Sequence, residues 1–194
     1  MFVAAITNPK AKTDHMTHIE HNSFDNAPWI VRLVDFTKKV LAQNRVRLIG
    51  VCFGHQIIGR ALGAKVDRSP IGWEISVSPV KLSTKGEELF GQKDLAINQM
   101  HRDIVFPFPY EKEGIELLGS SERCEVQGMY QQGRLLTVQG HPEFNEAIMA
   151  EILEARHANG VFDDNMFEEG RSRVGRRQDG VVVAQAFLRF LLED

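Results

Sequence analysis

Three side chains in this sequence have the types and spacing needed for nucleophilic catalysis: a cysteine, a histidine and a glutamate. Cys52 lies between two glycines in the segment "GVCFG" (50–54), and His141 and Glu143 flank a proline in "GHPEF" (140–144). A thiolate can attack a carbonyl carbon when a nearby base takes and returns a proton, and a carboxylate can orient that base. These two segments therefore predict a cysteine nucleophile with its histidine and carboxylate.

The elements around Cys52 predict a sharp turn from a strand into a helix. An apolar run predicts a strand over 46–51, and the residues from Gln56 to Leu62 predict a helix. Small neighbours are needed where such a turn lifts a nucleophile out of a sheet. The positive end of the helix dipole favours a thiolate there, and the N–H of Phe53 can face an oxyanion. On this motif alone, a buried structural cysteine packed by glycines stays an equal alternative.

The segment around His141 adds a base and its orienting group. Pro142 keeps the preceding residue out of the α conformation, so His141 is expected to be extended. Residues two apart in an extended chain point to the same side, so Glu143 can hold one imidazole nitrogen. The other nitrogen is then free to face a thiol, which strengthens the catalytic interpretation of Cys52.

The remaining pattern predicts an α/β fold. Helical periodicity is found at 25–44, 145–160 and the C-terminus, and short apolar strands alternate with these helices. Such alternation predicts a mostly parallel central sheet covered on both faces. The segments 74–83 and 115–130 are expected to form a small antiparallel accessory ribbon. "GRSRVGRR" (170–177) is predicted to be a solvated loop.

Composition narrows the classes of partner. The chain has 194 residues and a net charge of −3, which gives no reason to expect nucleic acid or an anionic membrane as a partner. Two cysteines do not make a disulfide framework, so a cytoplasmic setting is the default. His15, His18 and His21 stand three apart, but chance clustering is the favoured interpretation. No metal site and no cofactor are predicted.

Together, "GVCFGHQ" and "GHPEF" resemble the class I glutamine amidotransferases. The likeness runs from "HNSFDNAPW" to the C-terminus. It is strongest to the stand-alone, GMP-synthase-like amidotransferases and the γ-glutamyl peptidases, on "IGWEISVSPV", "INQMHRDIVFPFP" and "CEVQGMY". The resemblance implies a flavodoxin-like three-layer sandwich. It also implies hydrolysis of the glutamine side-chain amide through a γ-glutamyl thioester, with glutamine or a γ-glutamyl compound as substrate.

The resemblance also assigns roles to residues. Cys52 would be the nucleophile, His141 the general base and then acid, and Glu143 its orienter. Gln56 would line the glutamine pocket beside Phe53. The segment made of Gln99, Met100 and His101 would receive the α-carboxylate and amine of the substrate. An ammonia-accepting synthase is the partner such an enzyme would serve, and no P-loop accompanies the motifs in this chain.

The N-terminal segment departs from the family pattern. Residues 1–20 are expected to be an atypical segment without the family's first strands, and residues 21–194 to form the amidotransferase-like domain. His18 takes the place of a glycine whose loop donates a second oxyanion N–H in the family. The sequence therefore leaves two alternatives to glutamine hydrolysis: a γ-glutamyl peptidase acting on glutathione-like conjugates, and a non-catalytic amidotransferase-like protein.

Overall fold

The computed structural model describes residues 21–43 and 45–192, together with the backbone of Ala4–Ile6. Six helices lie in these residues: α1 (Pro28–Gln43), α2 (Phe53–Leu62), α3 (Thr84–Phe90), α4 (Glu146–Ala158), α5 (Asp164–Arg171) and α6 (Gly180–Leu192). The helices expected at 25–44, 145–160 and the C-terminus correspond to α1, α4 and α6.

Nine strands lie in the same described residues: β1 (Ala4–Ile6), β2 (Leu48–Val51), β3 (Val66–Arg68), β4 (Glu74–Leu82), β5 (Asp94–His101), β6 (Asp103–Val105), β7 (Glu116–Ser120), β8 (Gly128–Gln131) and β9 (Leu135–Val138). Seven of them form one sheet in the order β1-β2-β9-β8-β7-β4-β5, and β3 pairs with β6 in a separate antiparallel ribbon. The α/β fold class expected from the sequence is confirmed.

The balance of strand directions differs from the expectation of a mostly parallel sheet. The pairs β1–β2 and β2–β9 are parallel, whereas β9–β8, β8–β7, β7–β4 and β4–β5 are antiparallel. The strands expected as an accessory ribbon are antiparallel, but they continue the main sheet. Hairpin-length connections such as the one between β8 and β9 permit antiparallel neighbours, and only a long crossover permits parallel ones.

The N-terminal segment supplies one short strand, where the sequence predicted none. Ala4 pairs with Leu48 and Ile6 with Gly50, so β1 extends the parallel part of the sheet beside the strand that leads to Cys52. The remainder of the expectation for residues 1–20, including the substitution at His18, lies outside the described residues.

Helices cover both faces of the sheet. Along β2, Leu48 packs in the cluster that contains Ile58 of α2, and Ile49 packs in the cluster that contains Val183 and Phe190 of α6. Successive strand residues point to opposite faces, so one strand serves two cores. This arrangement of a helix layer on each side of the sheet is the three-layer sandwich that the sequence predicted.

Local sequence explains where the two helices nearest the site begin. α1 starts at Pro28, whose missing N–H is harmless in the first turn. Ile30 and Val34 bury the inner face of α1 against Ile57 of α2. α2 ends at Leu62 and is capped by Gly63, which adopts the left-handed conformation.

The arginine-rich segment is less solvated than the sequence predicted. Arg171 ends α5, and the guanidinium of Arg173 donates hydrogen bonds to the carbonyls of Ile75 and Val77 in β4. Those carbonyls lie at the end of the sheet, so Arg173 ties the segment down instead of facing water. Across residues 21–43 and 45–192, every helix is too short or too polar to cross a bilayer.

Candidate active site

Cys52 occupies the turn between β2 and α2 in a strained backbone conformation. Its φ is 48° and its ψ is −102°, a region that non-glycine residues rarely adopt. The Cys52 N–H donates to the carbonyl of Val138 at 3.0 Å, which fixes the turn to β9. Because α2 begins at Phe53, the first N–H groups of the helix have no intrahelical acceptor, and the Gln56 N–H donates to the carbonyl of Cys52 at 3.0 Å.

α2 packs so closely against Gly50 that there is no room for a side chain at this position. A Cβ at Gly50 would lie 2.8 Å from the carbonyl carbon of Gly54 and 2.8 Å from a methyl group of Ile58. Backbone atoms cannot yield as the end of a flexible side chain can. The first glycine of the "GVCFG" motif therefore allows the helix to pack directly against the strand that carries Cys52.

His141 lies between Cys52 and Glu143. Its N–H donates to the carbonyl of Asn98 at 2.7 Å, and its ring stacks on Phe144 with 4.1 Å between centroids and 3° between planes. Nδ1 of the imidazole is 2.7 Å from Oε1 of Glu143. The predicted contact of Glu143 with His141 is present, but it is made across a turn at Pro142 and Glu143, closed by the Phe144 N–H on the carbonyl of His141 at 3.3 Å, and not along extended chain.

The charges in this group favour an imidazolium. Burial lowers the pKa of His141, but the charge and hydrogen bond of Cys52, and then Glu143, outweigh it and raise the pKa to about 10. Glu143 itself is half exposed, so water weakens its share of the attraction. A thiolate at Cys52 is therefore compatible with a protonated His141 that can deliver a proton.

Gln139 is a neighbour of the nucleophile that the sequence analysis missed. Its Nε2 donates to the Cys52 sulfur at 3.6 Å, and its Oε1 accepts from Nε2 of Gln56 at 3.2 Å. Ser23 completes the chain by donating to Oε1 of Gln56 at 2.7 Å. Its signal in the sequence was its position two residues before His141, although the chain bends at residues 139 and 140 after β9 ends.

Of the two residues predicted to line the pocket, Gln56 is buried and Phe53 is partly buried. The Gln56 side chain is buried, and its Nε2 also donates to the carbonyl of Asp103 at 2.8 Å. The ring of Phe53 stacks on Trp29 with 5.8 Å between centroids, and its backbone N–H lies at the start of α2. This places Gln56 and Phe53 beside Cys52, and their contact with substrate stays a prediction.

The segment in β5 is also buried. Nε2 of Gln99 donates to Gln127 at 2.9 Å, but Oε1 of Gln99 is buried without a hydrogen-bond partner among the described residues. His101 is 3.1 Å from Oε2 of Glu74, and Met100 packs in an apolar cluster. A buried carbonyl oxygen without a partner is costly, and in this segment the Gln99 side chain carries one. Contact of the segment with substrate stays a prediction.

The three histidines that the sequence analysis attributed to chance clustering are only partly described. His15 and His18 lie outside the described residues, and His21 packs edge-on against Trp29 with 5.8 Å between centroids. Within the described ranges, no three His, Cys, Asp or Glu side chains form a group that could hold a metal ion.

Comparison with protein families places these residues in a known context. Residues 24–157 match the family of glutamine amidotransferases of class I. A glutamine amidotransferase-like protein of Schizosaccharomyces pombe is 38% identical over 179 residues, which cover 92% of this chain and 71% of that protein. γ-Glutamyl peptidase 4 of Arabidopsis thaliana is 33% identical over 164 residues, covering 81% of this chain and 64% of the peptidase.

Solved structures share the fold. A glutamine amidotransferase from Thermotoga maritima superposes with a TM-score of 0.66 at 20% identity, covering 88% of this chain and 74% of that one. A glutamine amidotransferase from Methylobacillus flagellatus gives a TM-score of 0.65 at 19% identity, covering 89% and 72% of the two chains. At these identities the likeness establishes the architecture.

Proposed function

Because the chain belongs to the class I glutamine amidotransferase family, we propose that it hydrolyses a γ-glutamyl amide through a thioester on Cys52. The observation that carries the proposal is the contact of His141 with both Cys52 and Glu143 at a strained strand-to-helix turn. Strain of this kind persists where the surrounding structure holds a functional group in place. A buried structural cysteine has no need of it.

The reaction follows from the positions of these groups. The Cys52 thiolate attacks the γ-carbonyl carbon, and the oxyanion faces the N–H of Phe53 at the start of α2. Protonated His141 gives its proton to the departing nitrogen, so that ammonia or an amine leaves and a γ-glutamyl thioester remains. His141 then takes a proton from water, whose oxygen attacks the thioester; the S–C bond breaks, glutamate leaves, and the Cys52 thiolate is restored beside protonated His141.

A γ-glutamyl peptidase is the second candidate, and the relatives favour it specifically. Four γ-glutamyl peptidases of Arabidopsis thaliana are 30% to 34% identical to this chain. A γ-glutamyl peptide and glutamine carry the same γ-glutamyl acyl group at the bond that is cleaved. Cys52, His141 and Glu143 can therefore serve both substrates. With glutamine as substrate, the released ammonia would pass to a separate synthase.

The domain assignment and the location belong to the same proposal. We assign residues 21–194 to the amidotransferase-like domain and residues 1–20 to a preceding segment that adds β1 (Ala4–Ile6) to the sheet of that domain. A cytoplasmic setting, expected from the use of cysteine, stays a prediction that imaging of the tagged protein in its own cell would test.

The deciding experiment compares glutamine and glutathione hydrolysis by the purified chain and by Cys52→Ala. We expect Cys52→Ala to lose all turnover and to keep its circular dichroism spectrum. Cys124→Ala is the matched control, because Cys124 is the second cysteine, lies buried, and its sulfur donates a hydrogen bond to the carbonyl of Val126. The ratio of the two rates identifies the substrate class.

Two results would count against the thioester mechanism. One is near-native turnover by Cys52→Ala. The other is a wild-type chain that neither turns over either substrate nor reacts at Cys52 with a glutamine-like diazo-ketone, which would support the non-catalytic alternative.

A further inference from the structure

Arg156 is a half-buried cation near the proposed nucleophile, and within the described residues it has no anionic partner. It lies in the last turn of α4. Its guanidinium carbon is 4.9 Å from the centre of the Trp73 ring and 5.9 Å from the centre of the Phe162 ring. Neither a carboxylate nor a hydrogen-bond acceptor of the described chain contacts its side chain, although all five of its N–H groups are donors.

The two rings hold the guanidinium in one place. The chain after α4 folds back, so that the N–H groups of Val161 and Phe162 donate to the carbonyl of Arg156 at 2.9 and 3.4 Å. This turn brings Phe162 beneath the side chain, and Phe162 meets Trp73 edge-on with 5.3 Å between centroids. Stacking on aromatic faces leaves the edge of a guanidinium, which carries the donors, free to bind a planar anion.

Arg156 also lies within electrostatic range of Cys52. Burial lowers the pKa of Arg156, and Cys52 is the acidic group of the described chain that raises it. The rings of Trp73 and Phe162 under Arg156 belong to the same apolar cluster as Phe144, and Phe144 stacks on His141. The aromatic contacts of Arg156 are therefore continuous with the site. The guanidinium nitrogen atoms of Arg156 are not fully buried, so a ligand can reach them.

An unpaired cation in a partly dry site is unfavourable unless an anion joins it. The negative end of the α4 dipole attracts Arg156 but supplies no hydrogen bond to its side chain. We propose that Arg156 binds a carboxylate of the γ-glutamyl substrate and thereby selects anionic γ-glutamyl compounds. The inference rests on the proposed function for the identity of the ligand.

The carboxylate has two sources in such compounds. One is the α-carboxylate of the γ-glutamyl group, which glutamine and glutathione share. The other is the C-terminal carboxylate of the leaving part, which glutathione has and glutamine lacks. Both present the same planar anion to a guanidinium, so blocked ligands are needed to distinguish them.

The test measures binding in a Cys52→Ala background, where no turnover occurs. Ligand-detected NMR titrations use three ligands: glutathione, glutathione esterified at its glycine carboxylate, and glutathione esterified at its α-carboxylate. We expect Arg156→Ala to weaken glutathione binding by about tenfold or more. We expect the loss to disappear with the one ester that lacks the carboxylate Arg156 binds, and Arg156→Lys to recover part of the affinity.

Arg171→Ala is the matched control. Arg171 also lies over an aromatic ring, that of Phe167 at 5.8 Å, but it is paired with Glu154 on the exposed surface. We expect this variant to bind all three ligands as the parent does.

Three outcomes would overturn the proposal: unchanged glutathione affinity in Arg156→Ala, an equal loss with all three ligands, or no binding by the Cys52→Ala parent. Glutathione binding that depends on Arg156, in a chain whose wild type hydrolyses nothing, would instead support the carboxylate site and contradict the proposed hydrolysis.

Discussion

The side-chain amide of Gln139 donates a hydrogen bond to the sulfur of Cys52 over 3.6 Å. A chain of hydrogen bonds fixes the orientation of this amide, because Gln56 donates to the oxygen of Gln139 and Ser23 donates to the oxygen of Gln56. Since its oxygen is held by Gln56, the Gln139 amide presents its NH₂ group to the thiol. A neutral donor aimed at the sulfur stabilises a thiolate without adding a charge to the site.

We predict that Gln139→Leu lowers the kcat for γ-glutamyl hydrolysis by about tenfold, since one hydrogen bond to a charged group is lost. Gln139→Glu should lower it further, because a carboxylate beside the sulfur opposes the thiolate. The measurement is steady-state kinetics beside the alkylation rate of Cys52 by iodoacetamide at several pH values. Unchanged alkylation in both variants would contradict a role for Gln139 at the sulfur.

We predict that Glu143→Gln lowers kcat by about a hundredfold, less than loss of the nucleophile. Burial lowers the pKa of His141, whereas Cys52 and Glu143 raise it, to about 10 in sum. Removing the Glu143 charge lowers that pKa, so the proton needed by the leaving group is lost at a lower pH. The alkaline limb of the kcat profile should shift down, and a limb that stays in place would show that Glu143 does not act on His141.

We predict that Gly50→Ala lowers the free energy of unfolding by about 2 kcal/mol and reduces turnover as well. The added methyl group would press on the Gly54 backbone and move the start of α2 away from Cys52. Gly175→Ala is the control, because its nearest neighbour is the flexible end of Glu146 at 3.4 Å. Urea denaturation of both variants tests this, and equal stabilities would contradict the close approach of helix and strand.

We predict that His55 makes the protein less stable as the pH falls below about 6.5. Burial, together with the nearby His101, lowers the pKa of His55 to about 3. Between these values the unfolded chain binds a proton that the folded chain does not, so stability falls with pH by up to about 1.4 kcal/mol per unit. This loss is complete once the pH passes below about 3.

His55→Asn should flatten that slope, whatever its effect on absolute stability. Asparagine can keep the hydrogen bond that Nδ1 makes with the Thr137 hydroxyl at 2.8 Å, and it does not titrate. Denaturation curves at pH 7, 6 and 5 give the two slopes. Parallel slopes for the variant and the wild type would show that His55 is not the group responsible.

Much of the site could be predicted from the sequence because its signals are local. The glycine at residue 50 and the helix from Phe53 are consequences of one short turn, and Pro142 orients His141 within three residues. The positions that escaped prediction depend on distant contacts. The donor role of Gln139 requires Gln56 and Ser23, and the position of Arg156 requires Trp73, all from other parts of the chain.

The sequence by itself determined the α/β class, the principal helices and the residues that meet at the turn, since each follows from periodicity or from the conformational limits of glycine and proline. Only the tertiary structure decided that the sheet is mixed, with β4 between β7 and β5. It also decided that Arg173 is tied to β4 while Arg156 stacks on aromatic rings without an anionic partner in the described chain. Strand pairing and charge pairing depend on which distant segments meet, and no local pattern of residues specifies that.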